Sequence, residues 1–499
     1  MSESLVVNRV RSGFYLDSVA LMRASRAVEG FTGVEAASLM IGTEANRALL
    51  EDAALLADDG RKAGANDLII SVRAIDAAAA DAAIDAAIEL LDRPATADGA
   101  KSGWNPKSLD GALGMLPDAN LALVSVPGAF AAREARRAMR RGLNVMVFSD
   151  NVAVADERAL KEEARERGLL MMGPDCGTAI IAGAPLGFAN AVPRGDVGIV
   201  SASGTGLQEV SCLIARAGGG ISHAIGVGGR DLSDAVGGIT TLAAIDALDS
   251  DPGTRRIVLI SKPPGAQVAA RVFERIAASA KPFTVCFFGI EAPAPPANAE
   301  LAPTLRTAAE HALGGVTLGG DFDPATAEID LAPERNRILG LYAGGTLCAE
   351  AQAVLLVAGE EVRSNAPIPG AAALSDGAGK AGHELNDLGA DEYTLGRPHP
   401  MIDPGVRRDA LAGALADPSL AVVLLDVVIG YGAHDDPAGE TAREVAGIER
   451  GPAIVASVCG TDADPQVHRD QVEILRRAGV IVAPSNAHAA EQALAIIRR

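Results

Sequence analysis

The sequence predicts an α/β chain built from doubly wound parallel sheets. Three observations predict it. A β-rich run at residues 197–200 passes through Ser201-Ala202-Ser203-Gly204-Thr205-Gly206 straight into an apolar-periodic helix at 207–217. The pattern returns at Ile338-Leu339-Gly340-Leu341-Tyr342-Ala343-Gly344-Gly345-Thr346, with Glu350 answering to Glu209. Strands then alternate with helices after both copies, the connection that parallel strands require.

The duplication continues downstream. Ala247-Leu248-Asp249-Ser250-Asp251-Pro252, ahead of a strand at 257–261, answers to Ala414-Leu415-Ala416-Asp417-Pro418, ahead of one at 421–428. Lys281-Pro282 before a strand ending at Gly289 answers to Gly451-Pro452 before one ending at Gly460. Three landmarks in one order argue for two copies of a domain, at 171–292 and 335–499, joined by a Pro/Ala-rich linker at 293–334 with a helix at 305–313.

Ahead of the copies stand two smaller modules. Alternation predicts strands at 5–11, 35–41 and 67–73, and helical periodicity fills 15–28, 44–56 and 74–91. Residues 1–95 thus form a small α/β sandwich of split-βαβ type, with no chemistry of its own. Residues 94–104 read as a linker, with Trp104 as a packing anchor. Helices at 109–116, 131–141 and 155–167 alternate with strands at 119–126 and 144–149, a Rossmann-like unit over 105–170. Its basic run Arg133, Arg136, Arg137, Arg140 and Arg141 reads either as a solvated helix face or as a contact for a nucleotide phosphate.

Composition removes several function classes. A formal charge of −20 argues against a nucleic-acid or anionic-membrane surface. No signal peptide is read at 1–10 and no run reaches the length of a membrane span. The five cysteines show no CxxC spacing. Reduced thiols, a cytoplasmic setting and no metal site are the expectation.

The candidate chemistry lies at strand ends. Ser203, Gly204 and Thr205 open a helix, whose first N–H groups have no intrahelical partner and favour an anion such as phosphate. A tight turn without a ligand has the same signature; the second copy favours the ligand. Gly226-Val227-Gly228-Gly229-Arg230-Asp231 and Ser261-Lys262-Pro263-Pro264-Gly265 end the next two strands, which puts Arg230 and Lys262 over the same edge. In the second copy Arg397 and His399 share one Gly/Pro loop. Gly430, Gly432 and His434 share another, which Asp436 and Pro437 turn into a helix.

With those motifs in view, Gly173-Pro174-Asp175-Cys176, Gly198-Ile199-Val200-Ser201-Ala202-Ser203-Gly204-Thr205 with Glu209, and Gly226-Val227-Gly228-Gly229 with Asp231 resemble the α subunit of succinyl-CoA synthetase over 105–290. Residues 335–499 resemble the carboxy-terminal domain of its β subunit. The whole, with Val428-Ile429-Gly430-Tyr431-Gly432-Ala433-His434-Asp435-Asp436-Pro437, resembles the FdrA family. The resemblance implies two flavodoxin-like domains and two helix ends that grip one phosphoryl group, the first at Ser203-Gly204-Thr205 and the second near Gly430, Gly432 and Asp436. It departs where the synthetases carry a phosphorylated histidine: Ile290-Glu291-Ala292-Pro293-Ala294-Pro295 stands there. The first strand and glycine turn that would hold CoA phosphates are missing ahead of Leu109, and so is an ATP-grasp domain.

The resemblance therefore implies acyl or carbamoyl phosphate chemistry with phosphate as a substrate. The expected role is a subunit of oxamate carbamoyltransferase, which turns oxalurate and phosphate into oxamate and carbamoyl phosphate in ureide breakdown. Lys262, Arg230 or Arg397 would hold the substrate carboxylate, and His399 or His434 would move a proton. Partner subunits, a homo-oligomer or both are expected. A nucleotide-dependent acyl-CoA synthetase, binding CoA, and a non-catalytic scaffolding subunit are the two other readings.

Overall fold

The computed structural model describes residues 4–14, 16, 18–92, 106, 108–288, 294–320, 322–324, 332, 334–374, 382–394, 398–446 and 451–498. Trp104 and Arg397 lie outside them. The chain forms two compact units, Met1–Asn144 with Thr394–Pro398, and Val145–Tyr393 with His399–Arg499.

The first unit opens with β1 (Leu5–Arg11), α1 (Ser18–Glu29), β2 (Val34–Ile41), α2 (Glu44–Asp52), α3 (Asp58–Arg61), β3 (Leu68–Ala74) and α4 (Ala77–Asp92). The three strands pair antiparallel in the order β1-β3-β2. Central β3 is buried on both faces, so it reads as a continuous apolar run: Leu68, Ile70 and Val72 pack with Leu21, Val28 and Ile84, while Ile69 packs with Leu50 and Leu55. The helix expected at 44–56 stops at Asp52. Buried Asn8 of β1 intercepts the backbone there, donating to Leu55 O (2.9 Å) and accepting from Ala57 N (2.6 Å). α5 (Leu109–Met115), β4 (Leu121–Val124) and α6 (Gly128–Met139) follow.

The second unit begins with β5 (Asn144–Val147), α7 (Val154–Glu166) and β6 (Met171–Met172), then a hairpin, β7 (Thr178–Ile181) and β8 (Ala184–Gly187), that the sequence reading lacks. Its turn is Ala182-Gly183, both left-handed (φ 52° and 87°), a two-residue turn that suits the twist of the strands. The first copy is β9 (Arg194–Ser201), α8 (Gly204–Arg216), β10 (Ile221–Gly226), α9 (Ile239–Ser250), β11 (Arg256–Ser261), α10 (Ala266–Ala277), β12 (Phe283–Phe287), β13 (Ala299–Leu301) and α11 (Leu305–Ala312). The second is β14 (Arg337–Tyr342), α12 (Gly345–Val357), β15 (Val362–Ser364), β16 (Ala372–Ala373), β17 (His383–Asp387), α13 (Asp391–Thr394), α14 (Gly405–Leu415), β18 (Leu420–Val428), α15 (Pro437–Val445), β19 (Ala453–Cys459), α16 (His468–Arg477), β20 (Ile481–Ala483) and α17 (Asn486–Ile497).

Sheet order shows the duplication in three dimensions. The first sheet runs β8-β7-β10-β9-β11-β12-β13 and the second β16-β15-β17-β14-β18-β19-β20. Within each, the five core strands follow the 2-1-3-4-5 order of flavodoxin-like folds, which bind ligands at the carboxyl ends of the strands. One buried cluster runs from Ile199, Leu207 and Val210 to Tyr342, Leu347 and Cys348, so the copies share a core. Glu209 and Glu350 cross between them. Glu209 of α8 accepts from Asn486 N at the start of α17 (3.2 Å), and Glu350 of α12 accepts from Leu305 N at the start of α11 (2.6 Å). Each matched helix caps the last helix of the other copy.

That crossing has a pH signature. Burial first, and then Glu209, push the Glu350 carboxyl up to about 7. A carboxyl raised in the folded state favours folding fully below its unfolded value and loses that contribution as pH rises through 7. Glu350→Gln should therefore flatten the fall in stability between about pH 4.5 and 7, a span worth roughly 2–4 kcal/mol. Denaturant titrations of both proteins across that range read it; parallel profiles would refute it.

Candidate functional site

The strand ends of both copies converge on the starts of α8 and α12. Ser203 caps α8, accepting from Gly206 N (2.9 Å), and its hydroxyl meets that of Thr346, in the first turn of α12, at 2.5 Å. A side chain at Gly344 would meet Thr205 at 3.0 Å, and one at Gly206 would meet Thr346 at 3.1 Å. The matched turns touch directly. No anion fits between the two hydroxyls, so these two matched turns do not close on one phosphoryl group.

The two ends differ in what they leave open. At α12, Asp426 of β18 accepts from Ala343 N and Gly344 N, both at 2.7 Å, and from Arg407 Nη2 at 2.6 Å. The Asp387 carboxylate lies so close to Gly345 that a Cβ there would stand 2.4 Å from it. This end already holds two carboxylates, and Gly344 and Thr346 are buried. At α8, Ser203, Gly204 and Thr205 all keep contact with solvent, and the Ser203 hydroxyl accepts the Gly206 amide. The first amides of α8, at Gly204 and Thr205, take no partner among the described residues, and the positive dipole end of the helix lies beside them at residues that touch solvent. Ser203→Ala removes the cap and should cost about 1 kcal/mol by denaturant titration, while loss below a few tenths would show that the cap is idle.

Three charged groups lie near the starts of α8 and α12. Lys262, following β11, is exposed, and its charge lowers the carboxyls of both Asp175 and Asp387. Both nevertheless rise to about 6, because burial within the surrounding protein outweighs the lysine. Asp175 is exposed at the surface, whereas Asp387 is 7% exposed. Asp175 takes a left-handed backbone (φ 55°) and donates its N–H to Ser149 O at 3.0 Å. A side chain at Gly229 would stand 3.6 Å from Asp175 Oδ2 and 3.9 Å from Ala202 O, which places this carboxylate beside the start of α8.

The other expected site residues fall on the rim or in its support. Arg230 donates to Val152 O (2.8 Å) and pairs with Glu157 (2.9 Å), yet its charge reaches Asp175. Glu157 and Asp231 share buried Lys161, at 2.8 Å and 2.7 Å, and this network fixes the 227–231 loop. His399 accepts Met401 N–H on Nδ1 (3.2 Å), and burial holds it down to about 4, so the ring is neutral with its hydrogen on Nε2. His434 accepts Asp436 N–H on Nδ1 (3.1 Å), and its backbone N–H donates to Met401 O (2.8 Å), which joins the two histidine loops.

Gly430 and Gly432 are left-handed (φ 123° and 82°) because this loop packs on residues 188–190: a side chain would strike Ala189 O or the Phe188 ring at 2.8 Å. Gly430 N–H donates to Gln466 and Tyr431 N–H to Ala189 O, both at 3.0 Å, so these amides serve the packing. All five cysteines are buried and free. A concavity of about 610 Å³ lies at the opposite edge of the first sheet beside Arg194, Gly219 and Arg255.

Sequence reasoning missed Asp175, Asp387 and Asp426. Asp387 carried a signal, an acid at a strand's carboxyl end followed by a glycine turn. Asp426 sits inside the apolar run of β18, and a lone acid in such a run must be paired.

Comparison with known proteins follows this division of the chain. A family model described as CoA-ligase matches residues 341–496, and one described as AllF, heavy metal-associated domain, matches residues 2–106. The α subunit of ADP-forming succinate–CoA ligase from Methanothermobacter thermautotrophicus is 29% identical over 181 residues, 35% of this chain and 59% of that subunit. This chain thus spans less than two thirds of it. Among solved structures, ATP citrate lyase from Methanothrix soehngenii covers 42% of this chain (36% of its own) at 20% identity and TM-score 0.34. The dinucleotide-forming acetyl-coenzyme A synthetase 1 of Ca. Korarchaeum cryptofilum covers 76% (82% of its own) at 17% and 0.30.

Two groups named in these matches lack their donors. Residues 2–106 contain neither cysteine nor histidine, and the described residues hold no cluster of three or more His, Cys, Asp or Glu placed for an ion. Residues 93–108 contain no Val, Ile, Leu, Phe or Met from which to build a strand leading to a CoA-diphosphate turn. Among the described residues no helix is long and apolar enough to cross a membrane. The uncharacterized protein YahF of Escherichia coli is 42% identical over 496 residues, 96% of either chain, and the protein belongs to its family, α/β chains that carry a CoA-ligase domain.

Proposed function

We propose that the protein, with partner subunits, transfers a carbamoyl group from a ureido acid to inorganic phosphate, as in oxalurate plus phosphate giving oxamate and carbamoyl phosphate. The observation that carries this is the start of α8, where Gly204 and Thr205 touch solvent with their amides unpartnered among the described residues, and where Ala202 N–H donates to Ile260 O (2.9 Å) two residues ahead of Lys262. Phosphate would rest on the Gly204 and Thr205 amides with Lys262 offsetting its charge. Arg230, on the rim, would hold the substrate carboxylate, and the two aspartates would accept from its N–H groups. Fixed dipoles aimed at the developing oxyanion contribute several kcal/mol in such sites.

The nucleotide-dependent acyl-CoA synthetase reading needs a histidine to carry the phosphoryl group, and the stretch after β12 has none before His311. The domain model named for AllF, over residues 2–106, supports the ureide assignment. Purified with its partners, the protein should form carbamoyl phosphate from oxalurate and phosphate without nucleotide. Thioester formation that requires nucleotide and CoA, with a phosphorylated protein visible by intact mass, would replace this reading with the synthetase.

A further inference from the structure

The inference rests on the phosphate-dependent reading above and concerns what selects the group that is transferred. Asp175 belongs to a loop pinned at three points. Its N–H donates to Ser149 O (3.0 Å), Cys176 N–H donates to Val147 O (3.1 Å), and the Cys176 thiol donates to Gly226 O (3.3 Å). A side chain at Gly228 would strike the Pro174 carbonyl, so the loop after β10 packs on this one. Ala202, just ahead of α8, is held by its N–H on Ile260 O (2.9 Å). These fixed loops leave the Asp175 carboxylate and the Ala202 carbonyl without a hydrogen bond among the described residues.

Both free oxygens border one open point. Where a Gly229 Cβ would stand, the described atoms within 4 Å, neighbouring peptides aside, are Asp175 Oδ2 at 3.6 Å and Ala202 O at 3.9 Å. Gly229 and Asp175 are exposed, so a ligand can reach the point from solvent. Two acceptors without a donor call for a group that brings N–H bonds. An ammonium has them, but Arg230 and Lys262 already act on Asp175 and disfavour a third positive charge. A neutral –NH2 fits, with one hydrogen for each oxygen. A methyl group in its place would leave both oxygens unpaired.

We propose that Asp175 Oδ2 and Ala202 O hold the terminal –NH2 of a ureido acid, and so select a carbamoyl group over an acyl group for transfer to phosphate. Glycine at 229 keeps the space for it. The charged groups that act on Asp175 are Asp150 from the loop after β5, Arg230 from the loop after β10, Lys262 from the loop after β11 and Asp391 from α13, with the Cys176 thiol next in the chain. The surrounding protein and the two acids outweigh the two cations, and the carboxyl stands at about 6. Protonation removes one of the two acceptors, so KM for the ureido acid should rise as pH falls through about 6.

Turnover of the assembled complex tests this with two substrates, oxalurate and N-acetyloxamate, which carries a methyl for the terminal –NH2. Binding of inorganic phosphate to the same variants is measured by calorimetry. The wild-type complex should prefer oxalurate by about 100-fold or more in kcat/KM. Gly229→Ala puts a methyl at the open point, where no left-handed backbone angle excludes a side chain. It should lower kcat/KM for oxalurate about 100-fold and leave phosphate binding within a few-fold. Asp175→Gly suits the left-handed backbone (φ 55°) and should cut the preference to about tenfold or less. Asp175→Asn should abolish the rise in KM below about pH 6. A Gly229→Ala complex that loses less than about threefold, or a preference that Asp175→Gly leaves intact, overturns the inference and leaves the phosphate-dependent reading standing. A wild-type complex that binds phosphate but makes no carbamoyl phosphate overturns both.

Discussion

Asp426→Ala should destabilise the second unit by about 3–5 kcal/mol. Asp426 is fully buried, and its carboxylate anchors the Ala343 and Gly344 amides that aim α12. It is also the carboxylate partner of Arg407, which is only 6% exposed. Removing it leaves a buried cation uncompensated and two amides without acceptors, and each is costly alone. Arg407 keeps one bond, to the Asp426 carbonyl, so the unit should fold but melt earlier. Asp426→Asn retains one acceptor oxygen and should cost about half as much. Denaturant titration followed by circular dichroism reads both. A loss below about 1 kcal/mol for the alanine variant would mean that α12 is aimed by its packing alone.

Lys262→Gln should lower phosphate-dependent turnover by about 10²–10³-fold. The side chain is exposed, so its removal costs little stability, and the loss reads its charge near the start of α8. The sign of the pH effect follows from the same charge. Lys262 lowers the Asp387 and Asp175 carboxyls, so without it both rise further above about 6. If the reaction needs the ionised form, activity is lost as pH falls through the folded value, and the acid limb of Lys262→Gln must move to higher pH. An unmoved limb with intact turnover would place the working carboxylates beyond the reach of this lysine.

Much of this was legible in the sequence. The two turns, Ser203-Gly204-Thr205 and Gly344-Gly345-Thr346, gave the duplication, because glycine and hydroxyl residues between an apolar strand and an apolar helix have few other uses. Lys262 was legible as a strand-end residue. That α8 is open and α12 closed was not: it depends on Asp426 and Asp387, which arrive from strands about 80 and about 40 residues downstream, respectively. The hairpin β7–β8 was hidden because Ala182 occupies a position more often given to Asn or Gly. The helix at 44–56 was cut short by Asn8, whose competition for the Leu55 and Ala57 backbone is a tertiary contact. His399 was read as a proton carrier because its burial, which keeps it neutral, is set by the fold.

The most direct measurement is a crystal structure of the full chain grown with inorganic phosphate at saturating concentration. The account predicts phosphate at the start of α8, bonded to the Gly204 and Thr205 amides and facing Lys262, with the start of α12 held by Asp426 and Asp387. Phosphate at the start of α12, or none at α8 with Lys262 turned to solvent, would contradict it.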